Sequence, residues 1–255
     1  MGRGISGDYR RLSKITEKRY SLLIIKEMTI WFATGNAHKK AELSAILKTH
    51  GVDCRLLIPK DAGLEFDPEE TGTSFHENAL LKARVLYGML DSARPPLFSP
   101  GDPIIADDSG ICVDALGGRP GIYSARYMGK EQRAMSNEQR EEGRGNSGKK
   151  LGAFERNGLL LEEVGDAHDR KARFVCAMVL MYKSDRFFVA QETMEGEIVT
   201  DMGHAKGAGG FGYDPILFIP ELGRTVAELS EEEKNTISHR GKAGKIIAGI
   251  IRNEE

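Results

Sequence analysis

Cysteine is scarce in this chain. There are three among 255 residues, Cys54, Cys112 and Cys176, and their separations match neither a disulfide framework nor a metal-ligand spacing. Cys112 and Cys176 lie inside apolar runs and are expected in the core; a reducing, cytoplasmic setting is expected for the whole chain. Long hydrophobic runs are missing as well. No stretch approaches the roughly 20 residues of a membrane span, and S-L-L-I-I at 21–25, followed by Lys26-Glu27, is too short for a signal-peptide core. The chain also lacks a surplus of either charge. Its formal net charge of −2 offers no electrostatic footprint for duplex nucleic acid or an anionic membrane, so an anionic ligand must be held by local cations and backbone amides. No internal repeat and no linker rich in Pro, Gly or Ser divides the sequence. With 40% hydrophobic and 29% charged residues it has the composition of a globular protein with a sizeable core.

Three apparent motifs dissolve on inspection. G-R-G-N-S-G-K-K at 143–150 is one residue short of a P-loop, and it follows N-E-Q-R-E-E rather than the buried strand a phosphate cradle requires. G-A-G-G-F-G at 207–212 fits G-x-G-x-x-G, but no strand leads into it and Asp214-Pro215 stands where a helix should start. M-G-R-G-I-S at the start fits the loose myristoylation pattern, and nothing else in the chain points to a membrane.

The regular part opens near Met28. T-I-W-F-A at 29–33 reads as a buried strand, and the segment after Asn36 has helical spacing with Asn36 at the N-cap and Gly51 as a stop. A second helix is expected over 74–90, with Ser74 and Glu77 forming a capping box. P-I-I-A at 103–106 reads as a strand ending at Asp107-Asp108, with I-C-V-D-A-L as a separate apolar segment. Two strands joined by K-S-D at 183–185 form an expected hairpin, and the chain closes in helix. Residues 1–27 read as a tail, 28–255 as one domain, and the charged stretch 129–157 as a surface insertion. Early alternation of strands and helices followed by a hairpin predicts an α/β fold around a mixed sheet flanked by helices.

Four segments place polar groups where a packed core would not want them. Thr34, Gly35, Asn36, Ala37, His38 and Lys39 join a strand to a helix, whose N-terminus favours an anion. Lys39 in that first turn opposes the dipole, so a negative group is expected beside it. Glu69 and Glu70 precede T-G-T, and Asn78 and Lys82 share a helix face at i, i+4. Asp107, Asp108 and Ser109 are expected at the carboxyl end of a strand, where adjacent carboxylates suit Mg²⁺. Phe211, Gly212, Tyr213 and Asp214, with Lys234, His239 and Arg240, combine aromatic faces with cations. Alone, each segment also has a plainer reading, as an ordinary turn, a solvated pair or a packed aromatic corner. Together they call for phosphates, a divalent ion and a planar base.

In this order T-G-N-A-H-K, E-E-T-G-T-S-F-x-E-N-A-x-x-K-A, I-A-D-D-S-G-I-x-V-D-A-L-G-G-R-P-G-I-Y-S-A-R-Y, G-F-G-Y-D-P-I and S-H-R-G-K-A resemble the inosine/xanthosine triphosphate pyrophosphatase (Ham1/ITPase) family over residues 28–252. The resemblance implies an elongated mixed sheet with two lobes and an active-site cleft between them, a homodimer, and hydrolysis of ITP, dITP or XTP to the monophosphate and pyrophosphate. By position it implies Asp108 as general base and metal contact, Asp107 in support, and Glu70 with Glu69 holding Mg²⁺. The 34–39 loop with Lys39, Lys82 and Ser109 would hold the triphosphate; Phe211 to Asp214, Lys234, His239 and Arg240 would hold nucleoside and base. Arg240 or a backbone amide would read the 6-oxo group. The tail before Met28 and the segment from Gly129 inherit nothing from the resemblance. A Maf-like pyrophosphatase for modified pyrimidine nucleotides and a non-catalytic nucleotide sensor are the alternatives.

Overall fold

The computed structural model describes residues 28–128 and 151–254; the expected tail and the P-loop-like stretch lie outside them. Strand β1 (Met28–Phe32) is an interior strand covered on both faces, which is why it reads as an apolar run rather than an alternating one. It pairs in parallel with β2 (Cys54–Leu57) on one side and with β3 (Ile104–Val113) on the other. From β3 the sheet continues antiparallel through β5 (Lys171–Lys183), β6 (Arg186–Ile198), β7 (Leu217–Ile219) and β8 (Arg224–Thr225), and the short β4 (Arg119–Pro120) also pairs with β3. The sheet is therefore mixed, as expected. The β5–β6 hairpin closes over Ser184-Asp185, with Lys183 opposite Arg186.

Strand length creates the two lobes. β5 and β6 have 13 residues each and β3 has 10; at ~3.3 Å per residue the longest run about 43 Å, more than one helical layer covers. One half of these strands is sandwiched. Ile30, Phe32, Ile105, Cys176 and Met178 pack against α1 (Ala37–Thr49) and α5 (His239–Glu254). On the opposite face Trp31, Ile104, Ala106, Ala177 and Val179 pack against α2 (Phe75–Ala93). The other half carries a separate core, in which Ile111, Val113, Phe174 and Met194 meet Leu160, Leu161 and Val164 of α3 (Ala153–Val164) and the chain from Tyr213 to Val226. The short α4 (Glu231–Ile237) leads into α5.

Local capping follows the sequence in most places. Asn36 Oδ1 accepts from the His38 and Lys39 N–H groups, and Gly51 takes φ +78° past the end of α1. Ser74 caps α2, but the Glu77 carboxylate reaches past Ser74 to the N–H and Oγ of Thr73, so it tethers the preceding loop instead of completing the box. Two expectations give way. The strand read as ending at Asp107-Asp108 continues to Val113 in one element, because β5 pairs with every residue from Ile104 to Val113. The last residues of the expected insertion, 153–157, open helix α3, whose Asn157 is buried; residues 129–150 lie outside the described residues.

Candidate active site

Asp107 and Asp108 stand in mid-strand, not at a strand's carboxyl end. β1 does end here: its last pair with β3 is Phe32 opposite Ile105, and β3 runs on past it into the cleft with β5 as its partner. Side chains alternate along a strand, so the two adjacent carboxylates point to opposite faces of the sheet. That is how they coexist. Each has its own cations, and it is the Asp108 carboxylate that shares Lys82 with Glu70.

Asp107, on the α1/α5 face, is saturated. Its Oδ1 accepts from Lys39 Nζ at 2.9 Å; its Oδ2 accepts from Ser109 Oγ at 2.9 Å and from Arg240 Nε and Nη2 at 3.2 and 3.0 Å. Burial alone would push its carboxyl pKa up, but Lys39, Arg240 and Lys82 together hold it far below the usual carboxylate range. Asp107 is also the negative group that Lys39 needs at the start of α1. Arg240, buried in α5, gives a further N–H to Glu42 Oε2 at 2.7 Å and one to Ser109 Oγ at 3.2 Å. Four of the five N–H groups of its guanidinium are thus engaged.

Asp108, on the α2 face, is held more loosely. Lys82 Nζ donates to Oδ1 at 2.8 Å and Asn78 Nδ2 to Oδ2 at 3.3 Å, so the i, i+4 pair on α2 does share the face that meets β3. Burial dominates its titration and pushes the pKa above the usual value, opposed by Lys82 and assisted by Glu70. Lys82 also binds Glu70 Oε1 at 2.6 Å and so lies between two carboxylates. Burial disfavours its charge, yet Asp108, Glu70 and Asp107 outweigh that and raise its pKa. Asn78 Oδ1 accepts from Gly72 N–H at 2.8 Å, tying the Glu70 loop to the same helix. Glu69 is exposed and makes none of these bonds; the alternating burial of that loop draws in Glu70. Gly110 completes the D-D-S-G motif by close approach, since a Cβ there would lie 2.3 Å from the Gly121 carbonyl and 2.4 Å from Ser124 Oγ.

The other end of the cleft is aromatic and cationic. Gly210, at φ +73°, folds the loop so that Asp214 Oδ2 accepts from Phe211 N–H at 2.6 Å and from Lys234 Nζ at 2.8 Å. Burial raises the Asp214 pKa despite Lys234. The Phe211 ring has Lys234 Nζ at 4.7 Å, the Arg240 guanidinium at 5.5 Å and the His38 ring at 6.5 Å. Tyr213 donates to the Ser124 carbonyl at 2.8 Å, and Gly212 accepts from Asn157 Nδ2 at 3.2 Å. His239 stacks on Phe174 at 5.0 Å. Burial first, then Arg240 and Lys234, put its pKa well below the usual value, and its Nδ1 has no hydrogen-bond partner among the described residues. Thr34 is buried with Oγ1 accepting from Asn36 N–H, while Gly35, Asn36, Ala37 and His38 form the exposed lip.

One cleft of about 420 Å³ gathers Asn36, Lys39, Glu70, Lys82, Asp108, Ser109, Phe211, Gly212, Tyr213, Asp214, Lys234, His239 and Arg240, a volume usual for a small-molecule site. Sequence reasoning missed Glu42, Arg126, Arg156, Asn157 and Phe174. Glu42 lies one turn beyond Lys39 on α1, a signal that could have been read. Asn157 was hidden in the apparent insertion, and Phe174 looks like any strand residue.

The fold and the cleft define a class: a two-lobed α/β protein with a cluster of carboxylates and lysines in the cleft, an aromatic–cationic pocket beside it, and no P-loop among the described residues. The Ham1 family profile matches residues 30–249. The chain belongs to that family. It is 43% identical over 225 residues to the dITP/XTP pyrophosphatase of Treponema denticola, covering 88% of this chain and 99% of the relative. To the dITP/XTP pyrophosphatase of Escherichia coli K12 it is 40% identical over 225 residues, covering 87% and 96%. Among solved structures, the Staphylococcus aureus Ham1 protein aligns with a TM-score of 0.68 at 32% identity, over 89% of this chain and all of that one (100%). The HAM1 protein of Coxiella burnetii gives 0.67 at 32% identity, over 89% and 99%.

Proposed function

We propose that this chain hydrolyses deaminated purine nucleoside triphosphates (ITP, dITP and XTP) to the monophosphate and pyrophosphate, clearing them from the nucleotide pool. The observation that carries the reading is Asp108: a buried carboxylate with a raised pKa, facing the cleft, bonded among the described residues by Lys82 and Asn78 alone and therefore able to accept a proton. The relatives' names, dITP/XTP pyrophosphatase, support the substrate class.

In this reading Asp108 takes the proton of the water that attacks the α-phosphorus, and pyrophosphate leaves. Lys39 and Lys82 align and neutralise the phosphates, which is most of what phosphoryl chemistry asks of a protein. Asp107 does not touch the reacting atoms; it positions Lys39 and Arg240. Phe211 supplies the face for the base. His239, neutral and with Nδ1 unpartnered, is the better placed side chain to meet a 6-oxo group, because Arg240 has a single N–H left to give. With its proton on Nδ1, His239 would be left unpaired by adenine's 6-amino group, a mismatch of up to about 10⁴-fold.

Mg²⁺ is the proposed cofactor. Glu70 and Asp108 offer hard oxygen donors, and they already share one positive charge, that of Lys82, at 2.6 and 2.8 Å. When bound, the ion would acidify water and stabilise charge on the phosphates. The reading also takes 28–255 as one catalytic domain preceded by a tail, acting as a cytoplasmic homodimer with no stable nucleic-acid or membrane partner; among the described residues no helix is long and apolar enough to cross a membrane.

The test is pyrophosphate release from ITP, XTP, GTP and ATP with Mg²⁺, beside Asp108→Asn. Release from ITP and XTP that the variant abolishes is expected. Turnover confined to modified pyrimidine nucleotides, or an undiminished Asp108→Asn enzyme, would overturn the assignment.

A further inference from the structure

We infer that Arg126 is a cation-displaced latch: it occupies Glu70 while the site is empty and turns to the pyrophosphate moiety of the substrate when a divalent ion takes Glu70. The inference rests on the reading that Glu70 holds the metal.

Glu70 carries two cations, Lys82 on Oε1 at 2.6 Å and Arg126 Nη1 on Oε2 at 2.8 Å. These two are not equivalent. Lys82 is 12% exposed and has a second carboxylate, Asp108, so it stays in the site whatever happens to Glu70. Arg126 is 42% exposed and Glu70 is the one carboxylate it pairs with among the described residues. It ends the turn Gly121–Arg126, which is anchored to β3 where Ser124 Oγ accepts from the Ile111 N–H, and runs into Tyr127 of the second lobe's core. Glu70 belongs to the loop that Asn78 ties to α2 in the first lobe. The pair therefore spans the mouth of the cleft.

An exposed pair of this kind is worth little and exchanges easily. A doubly charged cation competing for the same oxygens would displace it. The guanidinium already lies over the face of Tyr123 at 5.1 Å while it pairs with Glu70, and that face still supports it once the carboxylate is taken. Ile122, Ser124 and Ala125, its neighbours, line the cleft, so a freed Arg126 sits at the rim. There a forked guanidinium suits phosphate oxygens.

Mn²⁺ binding to the nucleotide-free protein, read by electron paramagnetic resonance, tests this alongside binding of inorganic pyrophosphate at saturating Mn²⁺. Removing the competing cation in Arg126→Gln is expected to tighten Mn²⁺ binding about two- to fivefold and to weaken pyrophosphate about tenfold. Opposite signs are the signature, since mere structural damage would weaken both. Unchanged or weaker Mn²⁺ binding in Arg126→Gln, with Glu70→Gln still losing it, would overturn the latch alone. If Glu70→Gln binds Mn²⁺ like the unaltered protein, the metal reading itself fails and the latch with it.

Discussion

Replacing Asp107 by Asn separates the two adjacent carboxylates by their consequences. Asp107 neutralises Arg240, which is 1% exposed, and Lys39. An amide in its place would set an NH₂ against at least one of four donors and leave Arg240 with Glu42 as its remaining carboxylate. Removing one partner of a buried ion pair costs about 3–5 kcal/mol. At roughly 2–4 °C per kcal/mol for a chain of this size, the melting temperature should fall about 6–20 °C. Asp108→Asn makes the contrast. Burial already disfavours the Asp108 charge, and Lys82 keeps Glu70, so melting should move less than about 3 °C while ITP turnover is lost. The signs also differ with pH. Asp107 titrates far below its unfolded value, so its stabilisation is full at neutral pH and is lost only as pH falls through the folded pKa; the gap between wild type and Asp107→Asn stays constant between about pH 7 and 5. The raised pKa of Asp108 works the other way, as its charge destabilises the fold above the folded pKa and protonation relieves this. Thermal melts of both variants, with turnover measured in parallel, decide the matter. An Asp107→Asn protein that melts within about 3 °C of wild type would refute the reasoning.

Gly110→Ala should cost about 1–3 kcal/mol or more, read by denaturant titration, because a Cβ 2.3 Å from the Gly121 carbonyl must push backbone aside. Lys234→Ala strips the partner from buried Asp214 and a cation from the Phe211 face; melting should fall by the equivalent of about 3–5 kcal/mol, and KM for ITP should rise more than kcat falls. The acid limb of kcat/KM should lie above the ordinary Asp value, since protonated Asp108 cannot accept a proton, and it should move to lower pH as Mg²⁺ is raised. A limb that ignores Mg²⁺ would separate the metal from Asp108.

Much of the molecule is written locally. Asn36 and Ser74 cap the helices they were expected to cap, the buried runs became strands, and the i, i+4 spacing of Asn78 and Lys82 put both against Asp108. The residue types of the site could be named from chemistry alone, because a carboxylate, lysines and an aromatic face admit few uses together. What the local pattern could not convey is that a strand continues through Asp107-Asp108-Ser109. Two charges in the middle of a buried strand contradict hydrophobic patterning, and no cation within a few residues offsets them. The offset comes from Lys82, Lys39 and Arg240, which lie 26, 68 and 133 positions away in the chain. Only the folded arrangement of α1, α2 and α5 around β3 supplies those cations, and with them the division of one Asp-Asp pair into a carboxylate saturated on one face and one held by Lys82 and Asn78 on the other.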